Sequence, residues 1–577
     1  MRTCPCLLVL AILTVAIPAR ALLIEKPDDL CSPGADPCVV RQPVDVSSLH
    51  PLDFGLRVVR IEGEGRFNGT VDLRCGRFET DVDGYWMDVA APVLPYDEDS
   101  TRVVRIEARR GCSGNAGWPC LTDFDCEEVE LGSCAGGDGE IRLAGDLYAI
   151  APLIDLRARG NVTLGGRIRA SGAYPAGDGG VVLVESTAGS IDVNGVASAN
   201  AGLRAESFIP GRAGTIAFVA HDDIRVAERV RGIGGGGEIS FHAGGDIDIN
   251  ASIVGRGNRR RNYDGDSVEM SAGGDIRIAT APGRSSPLLN VRGGEAYIDD
   301  CLFTGSGGDA DLEAGGDLVI ADGVRIVADS GRSPGDVMDH PTGGDWSLRA
   351  GRGLLFGATM TASGRGPDGY GPHIKIAASH AVSLSAASSL ILSSRYGPEL
   401  TIESESLGPV SLDGLIDVGG GTHEDGELIG SGGDLDVRGG NVTVGGTIEN
   451  GGGYSGGSIF FDACRLHLMS GARIDGSLDA QTDSTGENEF RIRETMVADA
   501  GSVIAGKPDS QNTIRYRDAA KPPVLSGSID PAATLVEDVT LEGCPVCGND
   551  EIDEGETCDD GNLAAGDGCD AACQNEQ

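Results

Sequence analysis

Gly236-Gly-Glu-Ile-Ser-Phe-His-Ala-Gly-Gly-Asp-Ile-Asp-Ile-Asn-Ala-Ser-Ile-Val-Gly-Arg-Gly257 holds three short runs of alternating apolar residues, each closed by small or turn-forming residues. Ile239 and Phe241 mark the first run, Ile247 and Ile249 the second, and Ile253 the third. A period of two puts one face in a core and the other in solvent, so these runs are strands. Gly244-Gly245-Asp246 is too short for a crossover helix, but it suits a corner where the chain passes from one sheet to the next. The unit returns along the chain, which predicts a solenoid.

The first strands of successive units align as Val181–Val184, Ile216–Phe218, Ile239–Phe241, Val268–Met270 and Ala310–Leu312. Trp346–Leu348, Ile374–Ile376, Leu400–Ile402, Leu435–Val437, Ile459–Phe461 and Phe490–Ile492 follow. Their offsets run from 23 residues (216 to 239) to 42 (268 to 310), and most of the surplus falls after the third strand. Insertions at one position of a repeat stack on one side, which makes that side the expected binding face. Each run resembles the run one repeat away, so pairing between repeats gives like-on-like ladders. Hairpins would instead need Asn-Gly or Asp-Gly turns between paired runs. A propeller would need four strands in about 40–50 residues. The expected fold is therefore all-β, a right-handed parallel β-helix of three sheets.

The chain has 577 residues, 90 of them Gly, and a net charge of -42. So much Gly is incompatible with a helical protein. Residues 1–21 read as a secretory signal: Arg2, an apolar stretch from Leu7 to Ile17, and the cleavage site Ala19-Arg20-Ala21. Loss of its two Arg leaves -44. Such a chain repels nucleic acid and anionic lipid and attracts divalent cations or basic partners. No later stretch approaches the roughly 20 apolar residues of a membrane span. Secretion, or display on the outer surface of a Gram-negative cell, is the expected location.

Residues 22–50 form a leader or N-terminal cap in which Cys31 and Cys38 close a small loop. The β-helix runs over 51–517, interrupted by the segment 112–134 with Cys112, Cys120, Cys126 and Cys134. That segment is too small for a core of its own, so two disulfides must hold it. A linker is expected over 518–543 and a distinct module over 544–577. Cys75, Cys301, Cys464 and Cys544 have no evident partners.

Three resemblances accompany these readings. Pro119-Cys-Leu-Thr-Asp-Phe-Asp-Cys126 is similar to small Cys-rich repeats of bacterial secreted proteins. The Gly-Gly-Asp-Ile corners resemble those of adhesin-like and pectin-lyase-like β-helices, a likeness that speaks for fold and little for function. The tail contains Cys547-Gly-Asn, Gly555-Glu-Thr-Cys558-Asp-Asp-Gly-Asn562 and Gly566-Asp-Gly-Cys569-Asp-Ala-Ala-Cys573. It closely resembles the Myxococcus cysteine-rich repeat, departing from it at Asp550 and Glu554. That resemblance implies disulfides among Cys547, Cys558, Cys569 and Cys573, a secreted or surface protein, and no catalytic activity.

Asp559, Asp560, Asn562, Asp567 and Asp570 are candidate Ca²⁺ ligands, because hard oxygens on a tight Gly-broken loop suit that ion. The competing reading makes them turn formers. Asp246, Asp275 and Asp317, each after Ala-Gly-Gly, are expected to cap their own turns. Arg259-Arg260-Arg261 is a basic island on the variable side, either a solvated loop or a dock for an anionic glycan or an acidic neighbour. Asp299-Asp300 is the one acidic doublet that reads as buried, and no paired-carboxylate or metal-ligand spacing assigns catalytic residues. A non-catalytic adhesin-like or matrix protein binding an extracellular glycan or surface protein is the expected function. The alternative is a polysaccharide lyase or glycoside hydrolase on the same fold.

Overall fold

The computed structural model describes residues 22–46, 51–63, 65–69, 71–81, 87–88, 103–113, 115–127, 133–136, 138–149, 153–171, 179–200, 212–257, 263–280 and 288–294. It further describes 304–331, 341–364, 369–420, 430–453, 455–476, 487–506, 511–544 and Cys558. In the reference stretch the three strands are Glu238–Ala243, Ile247–Ile249 and Ile253–Gly257. Each pairs in parallel with its counterpart one repeat earlier and one later. The first pairs with Thr215–Ala220 and Ser267–Ala272, the second with Ile224–Val226 and Ile276–Ile278. The third pairs with Val230–Gly234 and Leu288–Asn290. The fold is a parallel β-helix with three strands per coil.

Alternation explains the core. Along Thr215–Ala220 burial follows the period of two, with Ile216, Phe218 and Ala220 inside. Register then stacks like on like, so that Phe218 lies on Phe241 at 5.3 Å between ring centroids, and Phe461 lies on Phe490 at 5.4 Å. Each fully buried Val, Ile, Leu or Phe contributes roughly 1.5–3 kcal/mol, and successive coils supply such residues in register.

The parallel ladders extend beyond the expected end of the solenoid. Within 518–543, Val524–Leu525, Ser528–Asp530 and Thr534–Glu537 pair in parallel with the coil before them. This segment is thus the last coil and not a linker. Its end is stapled back by a disulfide between Cys464 and Cys544, which spans 80 residues of sequence. Among the described residues no helix is long and apolar enough to cross a membrane.

Candidate functional site

The Gly-Gly-Asp corners resolve first. Asp223 Oδ1 accepts the backbone N–H of Asp246 at 3.0 Å, and Asp246 Oδ1 that of Asp275 at 2.8 Å. Asp275 Oδ1 accepts from Asp317 N–H at 2.9 Å, and Asp317 Oδ1 from Gly353 N–H at 3.0 Å. Each aspartate therefore caps the next coil, where a cap of its own turn was expected. Glycine is required here because a Cβ on Gly274 would lie 2.2 Å from Asp246 Oδ1, and one on Gly316 equally close to Asp275 Oδ1. Arg277 and Arg352 donate to Asp275 at 2.6 and 2.8 Å. The N–H of Asp317 first, and then Arg352 and Arg277, hold the Asp275 carboxyl below the usual range against its partial burial. The corner column is architecture, with its charge compensated at Asp275 and Asp317.

A second acidic region differs. Register on the first-strand face brings Glu269 beside Asp311, and aligns Asp311, Ser347, Lys375 and Thr401 in one outward column. Asp309, Asp345, His373 and Glu399 stand in the parallel column at the strand starts. Asp345 N–H donates to Asp309 Oδ1 at 2.9 Å, His373 N–H to Asp345 Oδ1 at 2.8 Å, and the His373 ring meets Glu399 at 2.9 Å. These side chains, with Trp346 beneath them, line a groove of about 630 Å³.

The basic side chains of the groove already have partners, since Lys375 Nζ lies 2.5 Å from Glu403 and the His373 ring meets Glu399. Among the described residues, Asp309, Asp311 and Asp345 have no cation within ion-pair distance. Partial burial first, and then repulsion from Asp345 and Asp264, pushes the Asp309 carboxyl up, while the Asp345 N–H opposes the shift. Three residues ahead of His373 and Glu399, Tyr370 and Tyr396 stack at 4.7 Å, each 43 % exposed. An apolar ring pair beside clustered hydrogen-bond acceptors suits a sugar, with the ring faces taking its apolar side and the carboxylates its hydroxyls.

A further stack of acids, Asp417, Glu449 and Asp475, runs in register on the third-strand face. Arg473 closes on Asp475, and burial raises Asp417 and Glu449.

Cys31–Cys38, Cys112–Cys126 and Cys120–Cys134 are disulfides. The sulfurs of Cys112, Cys120 and Cys126 lie within 4.8 Å of one another but are oxidised, so they offer no thiolate to a metal. Cys75 is free and buried, and desolvation pushes its thiol far up. Cys558 is disulfide-bonded. The Ca²⁺ candidates Asp559, Asp560, Asn562, Asp567 and Asp570, together with Cys547, Cys569, Cys573, Cys301, Asp299, Asp300 and Arg259–Arg261, lie outside the described residues.

Comparison with protein-family models, curated proteins and solved structures returns no match to this chain. Sequence reasoning missed the groove. Its signal is faint, because Asp309, Asp345 and His373 are 36 and 28 residues apart and meet only through the register of three coils.

Proposed function

We propose that this is an exported or cell-surface, non-catalytic β-helix that binds an extracellular glycan in the first-strand groove. In this reading the C-terminal Myxococcus-type module, tied back through Cys464–Cys544, acts in surface or matrix attachment. The observation that carries the reading is the cluster of Asp309, Asp311 and Asp345 lining the first-strand groove without an ion-pair partner among the described residues, with the exposed Tyr370–Tyr396 stack three residues ahead of His373 and Glu399 on the same strands' approach. Clustered negative charge disfavours polyuronates, so the ligand is a neutral or amine-bearing polysaccharide. Affinity electrophoresis through gels cast with dextran, partially deacetylated chitin or alginate tests it. Retardation by one of the first two that drops at least tenfold in Tyr370→Ala/Tyr396→Ala supports the reading. No retardation, or retardation indifferent to that double substitution, sinks it.

A second reading, glycoside hydrolysis, draws support from the raised Asp309 carboxyl one coil away from Asp345. Release of reducing ends that is lost in Asp309→Asn and in Asp345→Asn would replace the binding reading by this one.

A further inference from the structure

The first and last rungs of the solenoid differ in cover. Near the start, Cys38–Val40 pairs on one side only, with Val58–Ile61, among the described residues. Cys38 and Val40 are nonetheless buried, with Leu30 and Cys31 packed against the core and Cys31 bonded to Cys38. In the last coil Val524–Leu525, Ser528–Asp530 and Thr534–Glu537 likewise pair on one side only, with the coil before them. Register lays Leu525 on Ala498, Ile529 on Ile504 and Leu535 on Ile514. Ala498, Ile504 and Ile514 are buried, whereas Leu525 and Ile529 are half-buried and Leu535 is exposed. From 515 to 544 no residue is buried. The core therefore ends on an uncovered apolar layer, beside which Val524 and Val539 are also exposed. A coil buries its apolar side only against a neighbour, so such a layer calls for a cap.

We infer that residues 545–577 dock on this open end and cap it. Their tether holds them close by. Cys544 is bonded to Cys464 of Ser458–Leu468, a strand three coils before the last, about 14 Å away along the axis. The 33 residues beyond Cys544 exceed what that distance needs, at up to about 3.3 Å per extended residue. Docking from such a tether is intramolecular, so a modest apolar contact is enough to keep the end occupied. Val546, Ile552 and Leu563 are the large apolar residues the segment offers. Charge favours the same place. The segment has ten acidic residues and no basic one. Arg517 and Lys521, in the turn leading into Val524–Leu525, are exposed and have no ion-pair partner among the described residues. A Cβ on Gly543 would lie 2.7 Å from an Arg517 guanidinium nitrogen, so the chain passes this cation just before its tether. A second copy is a poorer occupant. It brings a net charge of -42, and the open strands are only two, three and four residues long, a short edge for pairing between chains. The cap puts the module at the tip of the rod, and the inference does not depend on the glycan groove.

Amide hydrogen exchange on the full-length protein tests the cap. In Ile552→Asp/Leu563→Asp the amides of 524–537 should exchange at least tenfold faster than in wild type, while those of Ser267–Ala272, in the middle of the solenoid, stay unchanged. That double substitution could unfold the segment itself, so Arg517→Glu/Lys521→Glu is run beside it. It alters only exposed side chains of the solenoid and should speed the same amides severalfold. Carbodiimide coupling, read by mass spectrometry, should join Lys521 to a carboxylate of 550–576 within one chain. Equal exchange over 524–537 in wild type and both variants overturns the proposal. Where only the Ile552→Asp/Leu563→Asp variant speeds exchange, the cross-link decides, and its absence in wild type overturns the proposal as well. Protection that is lost on dilution, together with a dimer in sedimentation, would assign the cap to a second copy and overturn it too.

Discussion

Two columns of aspartate run up this solenoid at the same coil spacing, and they do opposite things. In the corner, Asp246, Asp275 and Asp317 each receive an N–H from the next coil, and Arg277 and Arg352 neutralise the charge at Asp275. In the groove, Asp309 and Asp345 receive N–H groups in the same manner, yet Asp311 stands beside them and the nearby Lys375 and His373 are taken by Glu403 and Glu399. Stacked carboxylates are tolerated as scaffold when guanidinium groups lie within reach. Where those are missing, the fold carries charge that only a ligand or a proton relieves.

The steepest test breaks the corner. Gly274→Ala forces a Cβ to 2.2 Å from Asp246 Oδ1, so a coil must shift or a cap must be lost. A destabilisation of about 2–4 kcal/mol is expected in urea unfolding. An unchanged midpoint would show that the corner column is not packed in this register.

Asp266 extends the comparison to its limit. It is fully buried, accepts Gly237 N–H at 3.1 Å, and has no partner for Oδ2. Burial pushes its carboxyl up to about 6. The folded state therefore holds this proton more tightly than the unfolded chain, whose pKa is about 3.9. Stability falls between pH 4 and 6 as only the unfolded chain ionises, and the penalty is constant above pH 6. Asp266→Asn should stabilise by roughly 2–3 kcal/mol above pH 6 and by nothing below pH 4. Melting curves across that range check it, and a gain independent of pH would count against a buried charge.

The repeat and its strands were legible because burial enforces a period of two, and Ile239, Phe241, Ile247, Ile249 and Ile253 obey it. The last coil was illegible for the same reason. Among the described residues nothing packs on its far side, Val524 and Leu535 are 56 % and 47 % exposed, and the alternation that marks a strand is not required there. The corner aspartates were recognised, but their partners were misjudged. The N–H that each one caps lies 29, 42 or 36 residues ahead, a distance set by loop length. The groove stayed hidden because it is built from outward residues, whereas the aligned runs were matched on their inward ones.

A smaller effect separates the two columns directly. Asp275→Asn keeps an oxygen for the Asp317 N–H and loses the attraction of Arg277 and Arg352, which should cost about 1–2 kcal/mol at pH 7. The Asp275 carboxyl is held low in the folded state, so this stability is present above the unfolded pKa of about 3.9 and fades as pH falls through the lower folded value. Wild type and variant should therefore converge in strong acid. A gap that persists there would assign the loss to packing.

The mildest substitution has the opposite sign. Asp309 is pushed up by partial burial and by Asp345 and Asp264, so ionising it works against the fold at neutral pH. Asp309→Asn retains an acceptor for the Asp345 N–H and removes the repulsion. It should raise the melting temperature slightly at pH 7 and leave it unchanged in acid, where wild-type Asp309 is itself neutral. The exposed rim position keeps the gain small, because solvent screens it. The two columns therefore make opposite demands on one chemical change, Asp to Asn, with the corner losing stability and the groove gaining it. Measured side by side at pH 7, a loss at both sites would make the groove one more piece of scaffold. A gain at Asp309 accompanied by loss of glycan retardation would mark it as a site where stability is given up for binding.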